Sequence, residues 1–225
     1  MDFIFMLTRS DQTVEDCLEV LDAVSGLGIG HLGFKDIGVE LETLKTLNRA
    51  IKQSGAISYM EVVSTTPEDC LRSARAAVEI GVDRLLGGSD AAAILNVLAG
   101  SGIAFYPFPG LPIGHPTLLG GAPEQIAEHC RDFLKMGCAG ADLLAFRAID
   151  AEPLELIRAA REALGSGPGA GELICAGSID SAERIGQLKA AGVDAFTIGS
   201  AAFDGSFSPS KGLLRSQLRD IVAAC

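Results

Sequence analysis

Eight short apolar segments, each typical of a buried β-strand, alternate with segments that have the spacing of amphipathic helices. Between the strand-like segments, apolar residues recur at helical intervals, as at Leu41, Leu44, Leu47 and Ile51. Strict alternation of strands and helices predicts a parallel sheet that is covered by helices. The strand-like segments are Phe3–Thr8, His31–Lys35, Ile57–Val63, Asp83–Leu86, Ile103–Phe108, Asp142–Arg147, Glu172–Ala176 and Ala195–Ile198.

The length of the chain favours one way of arranging such a sheet. Eight units in 225 residues leave about 28 residues for each, which is typical of a compact (β/α)8 barrel. The alternative is a doubly wound open sheet, which usually has a Gly-x-Gly-x-x-Gly turn after its first strand. This chain has Thr8-Arg9-Ser10-Asp11 there. We therefore predict an α/β fold, with one (β/α)8 TIM-barrel domain over residues 1–225.

The charge and the apolar stretches of the chain argue against nucleic-acid and membrane partners. The sequence has 18 Lys and Arg against 29 Asp and Glu, a net charge of −11, and its basic residues are scattered. An acidic chain without a basic patch repels phosphate backbones, so no nucleic-acid partner is expected. No apolar stretch approaches the roughly 18 residues that span a bilayer, and the N-terminus lacks a basic signal-peptide region. We expect a cytoplasmic protein with no membrane partner.

The cysteines indicate neither disulfides nor a metal site. None of the six forms a Cys-x-x-Cys pair or has metal-finger spacing, so free thiols are expected. No carboxylate or histidine cluster has the spacing of metal ligands. The sequence also lacks nicotinamide, flavin and Walker fingerprints. We therefore assign no cofactor and no metal ligands, and the residues leave open whether a divalent ion is needed.

Two glycine turns near the C-terminus predict an anion site. Gly177 and Ser178 follow the seventh predicted strand, and Gly199 and Ser200 follow the eighth. Glycines at strand ends let backbone N–H groups approach an anion, and each turn leads towards a helix N-terminus. Barrels commonly bind phosphate in these two loops. We assign phosphate binding to these four residues, although either turn alone is also explained by tight chain reversal.

The segment from Leu173 to Phe203, which contains "AGSID" and "RIGQLKAAGVDAFTIGSAAF", resembles the phosphosugar barrels of the ribulose-phosphate-binding superfamily. It is most similar to N-acylglucosamine-6-phosphate 2-epimerases and to the isomerase barrels of histidine biosynthesis. The resemblance implies that Gly177, Ser178, Gly199 and Ser200 hold a substrate phosphate. The first strand lacks the catalytic Asp of the histidine-pathway isomerases, so the resemblance supports the superfamily better than any one member.

Strand alternation selects the candidate catalytic residues. Barrel strands alternate between the interior and an apolar outer side. This predicts that Lys35, Glu61 and Arg147 face inward, late on the second, third and sixth strands, with Leu143 and Ala145 also inward. Lys35 and Glu61 are then either a structural ion pair or a proton-transfer couple. Arg147 is a candidate fixed ligand for a carboxylate, a phosphate or an enediolate.

Two further residues are weaker catalytic candidates. Asp36 follows Lys35 and is a candidate base or orienting group, or else a turn cap. His115 is the only histidine in a loop on the predicted catalytic face, and a candidate acid. It lies in the long segment 108–121, which we interpret either as an active-site loop or as a subunit-contact arm.

These features predict an enzyme that binds a small phosphorylated sugar or hydroxy acid. Its reaction is an isomerisation or epimerisation by proton transfer next to a carbonyl, with Glu61 and Lys35 handling protons. One alternative is an aldolase-type carbon–carbon lyase that uses Lys35. Another is a phospholigand-binding barrel without turnover. A homo-oligomer is expected because compact barrels often bury helical faces between subunits.

Overall fold

Eight parallel strands form one sheet in the computed structural model, which describes residues 1–225. The strands are β1 Asp2–Met6, β2 His31–Lys35, β3 Ile57–Glu61, β4 Arg84–Leu86, β5 Ala104–Tyr106, β6 Gly140–Leu143, β7 Glu172–Cys175 and β8 Ala195–Ile198. Their order in the sheet is β6-β7-β8-β1-β2-β3-β4-β5. The sheet closes between β5 and β6, where the Ala139 N–H donates to the Phe105 carbonyl at 2.9 Å and the Asp142 N–H donates to the Pro107 carbonyl at 3.1 Å. The predicted (β/α)8 barrel is therefore confirmed.

Helices follow the strands and cover the outside of the barrel. Local sequence signals set their ends: α3 begins after Thr66, whose hydroxyl accepts a hydrogen bond from the Asp69 N–H, and ends at Gly81 in the left-handed conformation. No helix is both long and apolar enough to cross a membrane. The helices are α1 Cys17–Val24, α2 Leu41–Gln53, α3 Pro67–Ile80, α4 Ala91–Leu98, α5 Pro123–Met136, α6 Pro153–Leu164, α7 Ala182–Ala190, α8 Ser200–Phe203 and α9 Leu214–Ala224.

The buried residues form two separate apolar clusters. The larger has 50 residues and lies between the strands and the helices. The smaller fills the barrel interior and consists of Ile4, Met6, Tyr59, Leu86, Tyr106, Ile174 and Ala195. Gly33 also faces inward, and a Cβ atom there would lie 3.3 Å from the Tyr59 Cβ and overlap the Met6 sulfur. The missing side chain leaves room for Met6 beneath the C-terminal end of the barrel.

A polar group closes the opposite, N-terminal end of the interior. One guanidinium nitrogen of Arg84 contacts both Glu172 oxygens, at 2.8 and 2.7 Å, and the Tyr106 hydroxyl donates to Glu172 at 2.6 Å. The Arg84 guanidinium also lies over the Tyr59 and Tyr106 rings, 5.4 and 5.6 Å from their centroids. The two ends of the interior are thus polar, with the seven-residue apolar cluster between them.

The sixth strand differs from its prediction. Residues 142–147 were expected to form it, but β6 is Gly140–Leu143, and Ala145–Arg147 form a short 3-10 helix. Leu143 and Ala145, predicted to face inward, belong to the outer apolar cluster, and Asp142 pairs with inward-facing Ile174. The apolar run after Leu143 looks like a strand in the sequence, although it turns over the C-terminal end of the sheet. That turn still brings Arg147 to the barrel opening.

The Arg84–Glu172 pair yields a stability prediction. Removing the cation in Arg84→Met leaves Glu172 with only the Tyr106 hydroxyl. The two side chains are 21% and 26% exposed. We therefore expect Arg84→Met to lower the free energy of unfolding by roughly 2 kcal/mol, which is less than the loss for a fully buried pair. Denaturant unfolding measures it. The double variant with Glu172→Leu should lose less than the sum of the single variants. Strictly additive losses would contradict a coupled pair.

Candidate active site

A cavity of about 260 Å³ opens at the C-terminal end of the barrel. Most of its wall is polar, and it is built from the ends of β1, β2, β3 and β8 and from the loops that follow β1, β6, β7 and β8. Eight of its polar or glycine lining residues are Asp11, Lys35, Glu61, Arg147, Gly177, Ser178, Gly199 and Ser200. Three predicted catalytic residues and all four predicted phosphate-binding residues are thus together in one cavity.

Lys35 lies between two carboxylates in this cavity. Its Nζ is 3.1 Å from Glu61 Oε1 and 2.8 Å from Asp11 Oδ1. Lys35 and Glu61 are paired in register on β2 and β3, and only 7% and 9% of their side chains are exposed. The contact that the sequence predicted is therefore present, with Asp11 as a partner that the sequence reasoning missed.

A hairpin after β1 places Asp11 beside Lys35. Thr8–Arg9 pair with Gln12–Thr13, and Ser10 and Asp11 form the two-residue loop with φ of 51° and 60°. Two left-handed central residues are characteristic of a type I′ turn, and Ser and Asp adopt this conformation at some cost. The Ser10 N–H donates to the Ser200 hydroxyl at 3.1 Å. The hairpin therefore connects the Lys35 region with the turn after β8.

Arg147 contacts Asp11 from the other side. Its two terminal nitrogens lie 3.3 and 3.4 Å from the two Asp11 oxygens, and one of them donates to the Thr117 carbonyl at 3.3 Å. Thr117 belongs to the long loop 108–121. Asp11, Lys35, Glu61 and Arg147 form a chain of alternating charge, which we call the ion cluster. With two cations and two carboxylates, it has no net formal charge.

The contacts in the ion cluster favour the charged forms of Asp11 and Lys35. Burial favours the neutral form of Asp11, but Lys35 and Arg147 outweigh it and lower the pKa of Asp11 to about 2. Burial likewise favours neutral Lys35, yet the carboxylates of Glu61 and Asp11 together raise its pKa above the ordinary 10.5. Lys35 is therefore an ammonium group at neutral pH. An ammonium donates protons and stabilises oxyanions, whereas a Schiff base requires the free amine.

The two glycine turns place free backbone donors on the same cavity. Gly177 and Ser178 have φ of 78° and 55°, and no acceptor within the protein binds the N–H groups of Gly177, Ser178 or Gly199. A Cβ atom at Gly177 would overlap the Arg147 guanidinium, so this close approach requires glycine. Helix α8, after the second turn, has four residues. The donors therefore come from the turns themselves.

Two predicted catalytic residues lie away from the cavity. The Asp36 carboxylate accepts hydrogen bonds from the Val63 N–H at 3.2 Å and from the Ser73 hydroxyl, between β3 and α3. His115 is exposed in the hairpin formed by Leu111–Ile113 and Leu118–Gly120. Neither lines the cavity. Asp36 directly follows the last strand residue and turns towards the helices, and the hairpin holds His115 beyond the opening.

Sequence reasoning missed two carboxyl groups, Asp11 and Asp142. Asp11 follows a first strand whose end gave no chemical signal, although two polar residues in a tight turn are typical of a hairpin tip. Asp142 was predicted to be the first residue of the sixth strand, and its side chain was not predicted to face inward. No group of three or more His, Cys, Asp or Glu side chains is arranged to bind a metal ion.

Asp11 gives an acid-stability prediction. Its pKa falls from the ordinary 3.8 to about 2 in the folded chain, so its contribution is complete above pH 3.8 and is lost as the pH falls towards 2. We expect this contribution to be on the order of 1–2 kcal/mol after solvent screening. Thermal or urea unfolding of the wild type and Asp11→Asn between pH 2 and 6 measures it. The two curves should converge at low pH, and a constant difference would contradict the ion pairing.

Comparison with known proteins establishes the fold. No protein-family model and no curated protein sequence matches the chain. The native KDPGal structure has a TM-score of 0.69 at 15% identity, over 100% of this chain and 94% of that chain. Orotidine 5'-phosphate decarboxylase from Pyrococcus horikoshii OT3 has a TM-score of 0.69 at 12% identity, over 99% and 98%. N-(5'-phosphoribosyl)anthranilate isomerase from Pyrococcus furiosus has 0.63 at 13%, over 100% of both chains. The chain therefore has the fold of these barrels.

Proposed function

We propose that this protein is a phosphate-binding barrel enzyme that isomerises or epimerises a small phosphorylated sugar or hydroxy acid. The observation that carries the proposal is the Lys35–Glu61 pair, at 3.1 Å, in one cavity with the two glycine turns. The turns supply unpaired N–H donors for a phosphate, and the pair supplies a base and an acid for the other end of the ligand. Two of the similar barrels are named for phosphorylated compounds.

The proposed reaction begins when Glu61 removes a proton from the carbon next to a carbonyl. The electron pair of that C–H bond forms a carbon–carbon double bond, and the carbonyl π pair moves onto the oxygen to give an enediolate, which the Lys35 ammonium and the Arg147 guanidinium stabilise. An isomerisation is completed when the former carbonyl carbon and its oxygen each take up a proton, and the hydroxyl of the deprotonated carbon loses its proton and becomes the new carbonyl. An epimerisation is completed when the deprotonated carbon regains a proton on its opposite face and the original carbonyl forms again. No external oxidant or reductant is needed.

The two alternatives have less support. An aldolase that forms a Schiff base needs neutral Lys35, but its two carboxylate partners raise the pKa of Lys35. A binding protein without turnover would be favoured if the Lys35–Glu61 pair lay away from the cavity. Both residues line the cavity instead. The ion cluster therefore favours proton transfer over both alternatives.

The phosphate site is tested at Ser178, which is exposed and already left-handed. Asp and Asn both tolerate that conformation, so Ser178→Asp adds a charge and Ser178→Asn is its neutral control. We expect Ser178→Asp to weaken inorganic phosphate or sulfate binding about tenfold or more, because like charges repel at close range. Titration calorimetry measures this. Equal affinities for the two variants would show that the phosphate does not bind beside Ser178.

The proton-transfer step is tested at Glu61. Phosphorylated compounds of three to seven carbons, incubated with the protein in deuterium oxide, should include one that acquires deuterium next to its carbonyl. Glu61→Gln should slow this exchange by roughly 10²–10⁴-fold, measured at a temperature where the variant is folded, because the loss of one carboxylate partner of the buried Lys35 also lowers thermal stability. Glu42→Gln, which neutralises an exposed partner of Lys45, is the matched control and should not slow it.

Borohydride treatment of the same mixtures separates the proposed reaction from the aldolase alternative. Because Lys35 is an ammonium, intact-mass analysis should show no reduced adduct on it. An adduct that maps to Lys35 would establish Schiff-base chemistry and contradict the proposal.

A further inference from the structure

Asp142 is a carboxyl group that the proposed reaction does not use. It lies on the inward face of β6 and pairs in register with Ile174 of the interior apolar cluster. Asp142 is 0% exposed, and neither of its side-chain oxygens has a hydrogen-bond partner. A buried ionised carboxylate without donors costs several kcal/mol. The absence of partners therefore needs a physical explanation.

The nearby cations are already engaged by other groups. Lys35 contacts Asp11 and Glu61, and Arg147 contacts Asp11 and the Thr117 carbonyl. The ion cluster is neutral without Asp142, so a third carboxylate would leave one uncompensated negative charge in the barrel. A proton on Asp142 avoids that cost.

The groups that act on Asp142 come from several elements. Burial and the Glu61 carboxylate of β3 raise the pKa of Asp142 well above the ordinary 3.8, and Lys35 of β2 and Arg147 after β6 only partly offset this. Cys175 of β7 is also near, but burial raises the pKa of its thiol, so it adds no charge at neutral pH. The two carboxyl groups thus differ in their contacts: Glu61 lies 3.1 Å from the Lys35 ammonium, whereas neither oxygen of Asp142 has a hydrogen-bond partner.

Building on the proposed function, we propose that Asp142 is a positioning residue that retains a proton at neutral pH and so keeps the cavity electrically balanced for a phosphorylated ligand. Asp142 does not line the cavity, so it acts through the ion cluster and not by touching the ligand. Ionised Asp142 would add a negative charge beneath the phosphate and a second negative charge beside Glu61. The neutral acid leaves Lys35 as the dominant charge that Glu61 experiences.

Sulfate is a suitable probe because it carries two negative charges throughout the neutral range. At pH 7, Asp142→Asn should bind sulfate within about twofold of the wild type, because Asn replaces an uncharged acid of the same shape. Glu61→Gln is the matched control: it removes an ionised carboxylate and should tighten sulfate binding by about tenfold. If Asp142→Asn tightens sulfate binding as much as Glu61→Gln does, Asp142 is ionised in the wild type and the proposal is wrong.

A second measurement does not depend on sulfate. The infrared spectrum at pH 7 should contain a protonated-carboxyl band that Asp142→Asn lacks. Labelling aspartate with carbon-13 in the wild type should shift the same band, and the band should persist in Asp36→Asn, which removes the other aspartate whose pKa burial raises. Absence of the band would overturn the proposal. Sulfate binding to none of the proteins, with the band present, would contradict the phosphate site of the proposed function and leave the protonation of Asp142 established.

Discussion

The Lys35 ammonium is buried at the C-terminal end of an apolar barrel, 2.8 Å from Asp11 and 3.1 Å from Glu61. Burying a charge there is unfavourable unless opposite charges compensate it, and this requirement explains the surrounding structure. The hairpin after β1 brings Asp11 over the barrel opening, and the turn after β6 brings Arg147 to Asp11. The resulting cluster places two cations and two carboxylates beside the glycine turns, as the proposed proton transfer on a phosphorylated ligand requires.

Period-two alternation and short strand–helix units were sufficient to predict the barrel and the inward position of Lys35 and Glu61. Both residues lie on regular strands, where alternation decides the direction of a side chain. The glycine turns were also predictable, because their position after β7 and β8 follows from the order of the units. All of these inferences depend only on local patterns and on the closure of the sheet.

Asp11, Asp142 and the strand that carries Asp142 were not predictable in the same way. Asp11 reaches Lys35 through a tight hairpin whose direction depends on tertiary contacts such as that between Ser10 and Ser200. The apolar run after Leu143 is equally compatible with a strand and with a buried turn, so the sixth strand was placed two residues late. The outward side was inferred from Leu144 and Phe146, which lie beyond the end of β6, and this assigned the wrong inward face and concealed Asp142. Asp36 follows β2 and His115 lies in the loop after β5, as predicted, but neither residue lines the cavity.

We propose that one cavity holds a phosphate at the glycine turns and the reacting carbons beside Lys35 and Glu61. The crystal structure of a complex with glycerol 3-phosphate would show both positions. We expect the phosphate at the N–H groups of Gly177, Ser178 and Gly199, with the carbon chain directed towards the Lys35 ammonium. A phosphate bound at the opposite end of the barrel, or a carbon chain directed away from the ion cluster, would contradict it.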